Sequence, residues 1–417
     1  MSLTRPTSAE QASLPDPLGL TSGEFLARVP GLGHEQARAL YRSIYREGRT
    51  GVIAVGGQPR ATVSVGDIGR IMEEETPEGR TTKFLTRVRG LPNDANKASF
   101  GLDTLWAESV IIPMIGRLGK RTHTLCVSSQ VGCAMGCTFC ETAQMGRVRS
   151  LSASEIVAQW FTATHLIGHL EGGRINNLVF MGMGEPLDNF DAVAQAIRVL
   201  CDHNGPALGA SNITVSTVGR IDGLAQLAGL TREEGYRRLG LAVSINAPND
   251  EIRSQLMPIN RAMPMSDLRD ALLRFPMRAS GKICFEYVLI PGVNDADEHA
   301  AQLADYLAPF GKAPGRSVPI GLVNLIPYNP RRNSPWPAPE ESDVERFMGA
   351  LVRYGVYVKR RRTKGRDMMG ACGQLGSAEI RRRRLVNLTI DDSGSTRVSS
   401  AEPMLHERRR SGLEHPC

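Results

Sequence analysis

Between Cys126 and Cys140 the chain reads Cys-Val-Ser-Ser-Gln-Val-Gly-Cys-Ala-Met-Gly-Cys-Thr-Phe-Cys, which puts the thiols of Cys133, Cys137 and Cys140 on one short loop. That spacing lets them close around a single inorganic centre without help from distant chain. A cubane iron–sulfur cluster takes four thiolates, and the loop supplies three, with no Cys or His between Cys140 and His165. The reading that follows is a [4Fe-4S] cluster with one iron left without a protein ligand and open to a substrate. A structural zinc site is the competing reading. Zinc takes four N or S ligands in a closed tetrahedron, however, and the next cysteine along the chain is Cys201.

A chain of 417 residues, 41% of them apolar, has material for a real core and about two or three domains. Eight cysteines, three of them clustered and none in a pairing array, point to a reducing compartment rather than a disulfide scaffold. The first residues carry no apolar signal core, and no run approaches the ~20 apolar residues of a membrane span. A cytosolic protein with no membrane partner is therefore expected. The net charge of +7 is unevenly placed, with Lys359, Arg360, Arg361, Arg362, Lys364, Arg366 and the arginines at 381–384 crowding the C-terminal region. Such clusters suit a phosphate backbone, whose binding is dominated by charge neutralisation. For the arginines at 381–384 and 408–410 a solvated tail is an equal alternative.

In chain order, residues 1–19 lack periodicity and are expected to be a flexible leader. From Leu20 the pattern turns helical on both sides of Pro30-Gly31-Leu32-Gly33, which resembles a helix-hairpin-helix, a motif that presents backbone amides to nucleic-acid phosphates. Alternating runs at 83–88 and 105–113 predict a small β extension, closing an accessory RNA-binding domain over 20–114. From Thr122 the rhythm is strand, loop, helix, with strands expected at 124–128, 177–181, 213–217, 239–245, 283–290 and 320–326. Ser152 and Glu155 form a capping box ahead of the first helix. Near-continuous apolar strands alternating with helices indicate a parallel sheet. The fold class expected is α/β, an open (β/α)6 partial barrel over 115–380, its chemistry at the carboxyl ends of the strands. Residues 381–417 are expected to be a basic, weakly ordered tail.

The strand ends carry the chemistry. Met181-Gly182-Met183-Gly184-Glu185-Pro186 offers glycines that let backbone approach a ligand and a Glu185 carboxylate for an ammonium group. Ser216, Ser244, Ile245, Asn246 and Asn324 stand at successive strand ends, where hydroxyls and amides could recognise a ribose or a carboxylate. Taken singly each is better read as a strand-capping polar residue, and their joint placement on successive strand ends shifts the balance towards a binding role. Cys372, between Ala371 and Gly373, is a thiol on a glycine-rich segment, and Cys126 is a second thiol outside the cluster loop. Together they suggest a redox or nucleophilic pair at the barrel mouth.

The spacing of Cys133, Cys137 and Cys140, with Phe139 before the last thiol, resembles the cluster loop of radical S-adenosylmethionine (SAM) enzymes. In that superfamily SAM chelates the open iron, and the Gly-Glu motif, here Gly184-Glu185, binds its amino group. Leu125 through Cys133, Cys140 through Gln144, Val179 through Pro186, Ala247 through Arg261 and Ala371 through Leu375 together resemble the RlmN/Cfr family of radical-SAM RNA adenine methyltransferases. The resemblance covers about residues 20–380 and implies two SAM molecules per turnover. Cys372 takes a methyl group from the first. The second yields a 5′-deoxyadenosyl radical that removes a hydrogen from the S-methyl group, and the carbon radical adds to an adenine carbon. Cys126 then attacks the sulfur of Cys372, releasing methylated RNA and leaving a disulfide for a thiol reductant to reopen. Glu108, in an aromatic and aliphatic strand context, is the candidate for the family's general base. Asn246 stands where family members have histidine, so it keeps hydrogen bonding but cannot titrate.

The expected function is methylation of adenine C2 in 23S ribosomal RNA, with tRNA as a further candidate. A cellular electron donor serves the cluster, and nothing demands more than a monomer. C8 methylation, the Cfr branch, is the alternative within the same chemistry. A metal-stabilised RNA-binding protein without turnover is the alternative from a different class.

Overall fold

Short β-branched strands alternate with amphipathic stretches through most of the chain, and they assemble into one large sheet with its helical crossovers. The strands are β1 (Gly51–Val55), β2 (Gln58–Val63), β3 (Ile68–Thr76), β4 (Gly79–Val88), β5 (Leu105–Ile115), β6 (Arg121–Cys126), β7 (Gln130–Gly132) and β8 (Arg147–Ser150). They continue with β9 (Ile175–Phe180), β10 (Ile213–Thr217), β11 (Gly240–Ser244), β12 (Ile283–Leu289), β13 (Gly321–Pro327) and β14 (Val358–Arg360). The computed structural model describes residues 14–88, 104–116, 119–168, 174–278, 281–312, 319–361 and 364–376, and the backbone of 386–390 and 396–400.

Ten strands pair in the order β14-β13-β12-β11-β10-β9-β6-β5-β4-β3. From β6 through β9 to β14 the pairing is parallel, and from β6 back to β3 it is antiparallel. β6, β9, β10, β11, β12 and β13 are the strands of the partial barrel, each in or next to its expected place. Among the described strands β6 and β13 do not pair with each other, so the barrel stays open. Helices Ala153–His165, Phe190–Cys201, Ile221–Arg232, Met265–Leu273, Asp297–Leu307 and Glu341–Arg353 follow the six barrel strands in turn and bury apolar faces against the sheet. The first begins at the predicted capping box, with Ser152 N–H donating to Glu155 Oε2 over 2.9 Å and Glu155 N–H to Ser152 Oγ over 3.3 Å.

The β extension joins the same sheet: the second half of β5, from Val110 to Ile115, pairs with β6, Val110 opposite Cys126. Ahead of it the two predicted helices are Ser22–Arg28 and His34–Glu47, on either side of the Pro-Gly turn, where Gly31 has φ 62°. Residues 14–20, expected within or beside the leader, are packed. Leu18 is fully buried, and the hydroxyls of Tyr41 and Tyr45 donate to the carbonyls of Leu20 and Pro17. Tertiary contacts order them, because their composition alone carries no periodicity. Within the stretch expected to be weakly ordered, Val386–Ile390 and Thr396–Ser400 pair as an antiparallel hairpin. The arginines at 362, 381–384 and 408–410 lie outside the described residues. Among the described residues no helix is long and apolar enough to cross a membrane.

Candidate active site

The cluster loop follows β6 and is folded back by the β7–β8 hairpin. Cys133 N–H donates to the Gly146 carbonyl over 3.1 Å, and a Cβ on Gly132 would lie 1.9 Å from that oxygen, which reserves the position for glycine. Cys133, Cys137 and Cys140 line one cavity together with Gly184, Glu185, Ser216, Ser244 and Asn246. All three thiols are pushed up by burial, Cys133 to about 12. Buried thiols of this kind become thiolates when a cationic centre offsets the desolvation, so the donor set suits a cluster of iron ions. Among the described residues no three His, Cys, Asp or Glu side chains converge as they would around one metal ion. The three thiols line one shared cavity.

Glu185 is buried at the end of the loop after β9. Its carboxylate accepts from Leu187 N–H at 3.0 Å and Val218 N–H at 2.9 Å, and burial, against the pull of those amides, raises its pKa to about 7. A bound ammonium group would favour the ionised form. Gly184 has φ 98°, and a Cβ there would sit 2.5 Å from Gln130 Cβ, while the Gln130 Oε1 accepts from Glu185 N–H at 3.0 Å. Gly184→Ala is expected to lower stability by about 2–4 kcal/mol through backbone strain and overlap. It should also weaken binding of an ammonium-bearing ligand at Glu185 by about tenfold as that carboxylate shifts; calorimetry and equilibrium binding measure both.

Ser216 Oγ donates to Glu286 Oε2 at 2.8 Å and Ser244 Oγ to the same oxygen at 3.4 Å. Glu286, in the middle of β12, lines the cavity and was not anticipated. An acid inside an otherwise buried strand is itself a signal, since such groups stay buried only with a partner. Ile245 is buried behind the cavity, its N–H bonded to the Glu286 carbonyl at 3.0 Å. Asn246 holds φ 54°, a left-handed conformation that asparagine tolerates, and its Oδ1 accepts from Val288 N–H at 2.9 Å. These strand ends are tied together by the buried Arg253, which donates to the carbonyls of Val218, Ser244 and Ile245.

A second cavity lies beside the first. It holds Cys126 and Cys372, a cationic wall of Lys359, Arg360, Arg361 and Lys364, and an apolar wall including Ile112, Met114, Ile115 and Val179. Cys372 and Asn329 line both cavities. Asn324, expected with the strand-end polar residues, lines only the second, because it lies earlier on β13 and Asn329 follows the strand. Both thiols are free. Burial raises Cys126 to about 12, with Cys372 adding to the effect and Arg361 opposing it. Cys372 is also raised by burial, again against Arg361. The Cys372 segment is bonded to the cluster loop: Glu141 N–H donates to the Gly373 carbonyl at 2.7 Å, and Thr142 Oγ1 to the Leu375 carbonyl.

Glu108, on β5, lines neither cavity. The aromatic and aliphatic surroundings expected for its carboxylate give way to a buried ammonium group, Lys83 Nζ at 2.7 Å, because β4 brings a lysine beside it.

Residues 127–304 match the Radical SAM superfamily. The chain is 39% identical over 366 residues, 86% of this chain and 92% of the relative, to a probable dual-specificity RNA methyltransferase RlmN 1 from Protochlamydia amoebophila. It is 37% identical over 392 residues, 90% of this chain and 96% of the relative, to a dual-specificity RNA methyltransferase RlmN from Anaeromyxobacter dehalogenans. The crystal structure of a radical SAM methyltransferase from Sphaerobacter thermophilus superposes with a TM-score of 0.72 at 34% identity, covering 86% of this chain and 98% of that one.

Proposed function

Because this chain belongs to the RlmN/Cfr family of radical-SAM RNA adenine methyltransferases, we propose that it methylates C2 of an adenosine in 23S ribosomal RNA, and also tRNA, by way of a methyl group carried on Cys372. The observation that supports this reading is the position of Cys372, the one thiol shared by the cluster-side cavity and the cationic cavity. The family implies a [4Fe-4S] cluster and SAM, which together supply a 5′-deoxyadenosyl radical when bound.

Cys133, Cys137 and Cys140 are the residues to hold the cluster. Gly184 and Glu185 would take the amino group of SAM, and Ser216, Ser244, Asn246 and Asn329 supply polar groups along the same cavity. Ile245 contributes backbone placement rather than a side-chain contact. Two SAM molecules are used in each turnover, one of them to load a methyl group on Cys372. The cationic wall meets RNA phosphates and the apolar wall meets the base. Cys126 releases the product by forming a disulfide with Cys372, which a thiol reductant reopens; a separate electron donor serves the cluster. The protein acts as a cytoplasmic monomer, with residues 20–114 as an accessory RNA-binding unit.

Arg361 is the cation that counts most for the carrier thiol. Its guanidinium reaches Met181 Sδ at 3.6 Å and lies 3.9 Å from Glu286 Oε1. Arg361→Gln removes the charge that opposes burial at Cys372, and methyl loading of Cys372 at neutral pH should slow by about tenfold. Peptide mass spectrometry of methylated Cys372 against time measures it.

Mass spectrometry of nucleosides from RNA of cells with and without the gene tests the proposal. Gene-dependent 2-methyladenosine is the expected result. Finding 8-methyladenosine instead would move the chain to C8 chemistry, and finding neither would remove the function.

A further inference from the structure

Lys364 lines the cationic cavity together with Glu78, which sits in the turn between β3 and β4. The Lys364 ammonium group lies 3.5 Å from Glu78 Oε2, with 9% and 14% of the two side chains exposed, and it also donates to the Pro113 carbonyl. The same hairpin holds the next residue: Gly365 N–H donates to Glu74 Oε1 at 3.2 Å. Gly365 has φ 74°, a conformation that suits glycine. Side chains alternate along a strand, so β3 divides its acids between two faces. Glu73 and Glu75 pair with Arg80 at 3.3 and 2.7 Å, while Glu74 is spent on the turn at Gly365. An ammonium group beside a glycine amide suits a phosphate oxygen, and here carboxylate oxygens occupy both donors.

We propose that Lys364 and Gly365 form an RNA phosphate site that the Glu78 and Glu74 carboxylates fill in the RNA-free protein, so that RNA displaces an internal anion when it enters the cavity. The proposal rests on RNA as the substrate. A carboxylate and a phosphate diester compete for the same donors, and a competitor tethered to the protein weakens the binding of every RNA alike. Only an RNA that adds contacts deeper in the cavity, at Arg361 and the apolar wall, then stays bound. The carboxylates also keep Lys364 in place without leaving its charge buried and unpaired. Arg360 pairs with Glu341 in the same way, but with 33% and 60% of those side chains exposed water screens the pair, so it competes far less. The hairpin ahead of the cluster loop thereby sets how readily RNA reaches a site that lies far along the sequence.

The test uses the anaerobically purified holoprotein with two RNAs, a 23S ribosomal RNA transcript and poly(U). Glu78→Gln should tighten the binding of both by about fivefold. Glu75→Gln removes a charge from the same hairpin on the face that pairs with Arg80, and should change either affinity by less than about twofold. Lys364→Gln should weaken binding and lower the slope of log affinity against log salt by about one. Acetylation of the Lys364 amine, read by peptide mass spectrometry, should rise in Glu78→Gln without RNA and fall back once the 23S transcript is bound. Equal affinities for Glu78→Gln and Glu75→Gln, or a salt slope in Lys364→Gln equal to wild type, would overturn the site. Glu78→Asp keeps the charge and shortens its reach, and it carries the same readouts if Glu78→Gln fails to fold; a smaller gain in affinity is expected there, and no gain would overturn the site. A wild-type protein that binds RNA and forms no methyladenosine would defeat the proposed function, while the affinities would still decide this site.

Discussion

Cys372→Ala is expected to abolish RNA methylation, to below about a thousandth of wild type, while iron content and SAM cleavage are retained. Adenine C2 and C8 are not nucleophilic towards the sulfonium of SAM, so a methyl group has to arrive in another form. A sulfur able to accept methyl from SAM and then present it to the base must reach both compartments, and Cys372 lines both. Alanine keeps the short side chain of this glycine-flanked turn and removes only the sulfur. The bonds that seat the turn on the cluster loop come from the backbone of Gly373 and Leu375 and survive the change. The cluster and the Glu185 end of the cavity should therefore be intact. Residual methylation above about a tenth of wild type would show that the methyl group travels by another route.

Cys126→Ala should leave Cys372 loading intact and trap RNA on the protein, with product release falling by about a hundredfold or more. Once carbon joins the adenine, the nucleotide is held to Cys372 through a methylene and sulfur. Breaking that bond takes a second sulfur, which forms a disulfide as the carbon fragment leaves. Cys126 stands at the end of β6 in the same cavity, paired in register with Val110 and Val179, which hold it at that place. With alanine there, a species carrying both protein and RNA should persist on denaturing gels after incubation with SAM and a reductant. Normal turnover with no such species would remove Cys126 from the reaction.

Much of this architecture was legible because it is written over short distances. The three loop thiols, the Gly184-Glu185 turn, the Ser152–Glu155 capping box and the apolar strands each depend on residues a few positions apart. The six barrel strands accordingly fall where alternation and β-branching put them. Asn324 shows the limit of such reasoning: it lies in the middle of β13, and the amide that reaches the cluster-side cavity is that of Asn329, just past the strand's end. Glu286 was hidden for a related reason. Its carboxylate is placed by register, with Ser244 opposite it on β11.

The sequence by itself determined the donor set, the order of strands and helices, and the two thiols outside the cluster loop. Only the tertiary structure decided that Arg253 would tie two strand ends together, that Arg361 would stand beside Cys126 and Cys372, and that Lys83 would pair with Glu108. Each of those contacts joins chain segments that meet only through sheet register and loop closure. A buried charge cannot be read from its neighbours in sequence, because its energy is set by whichever partner the fold brings within hydrogen-bonding distance.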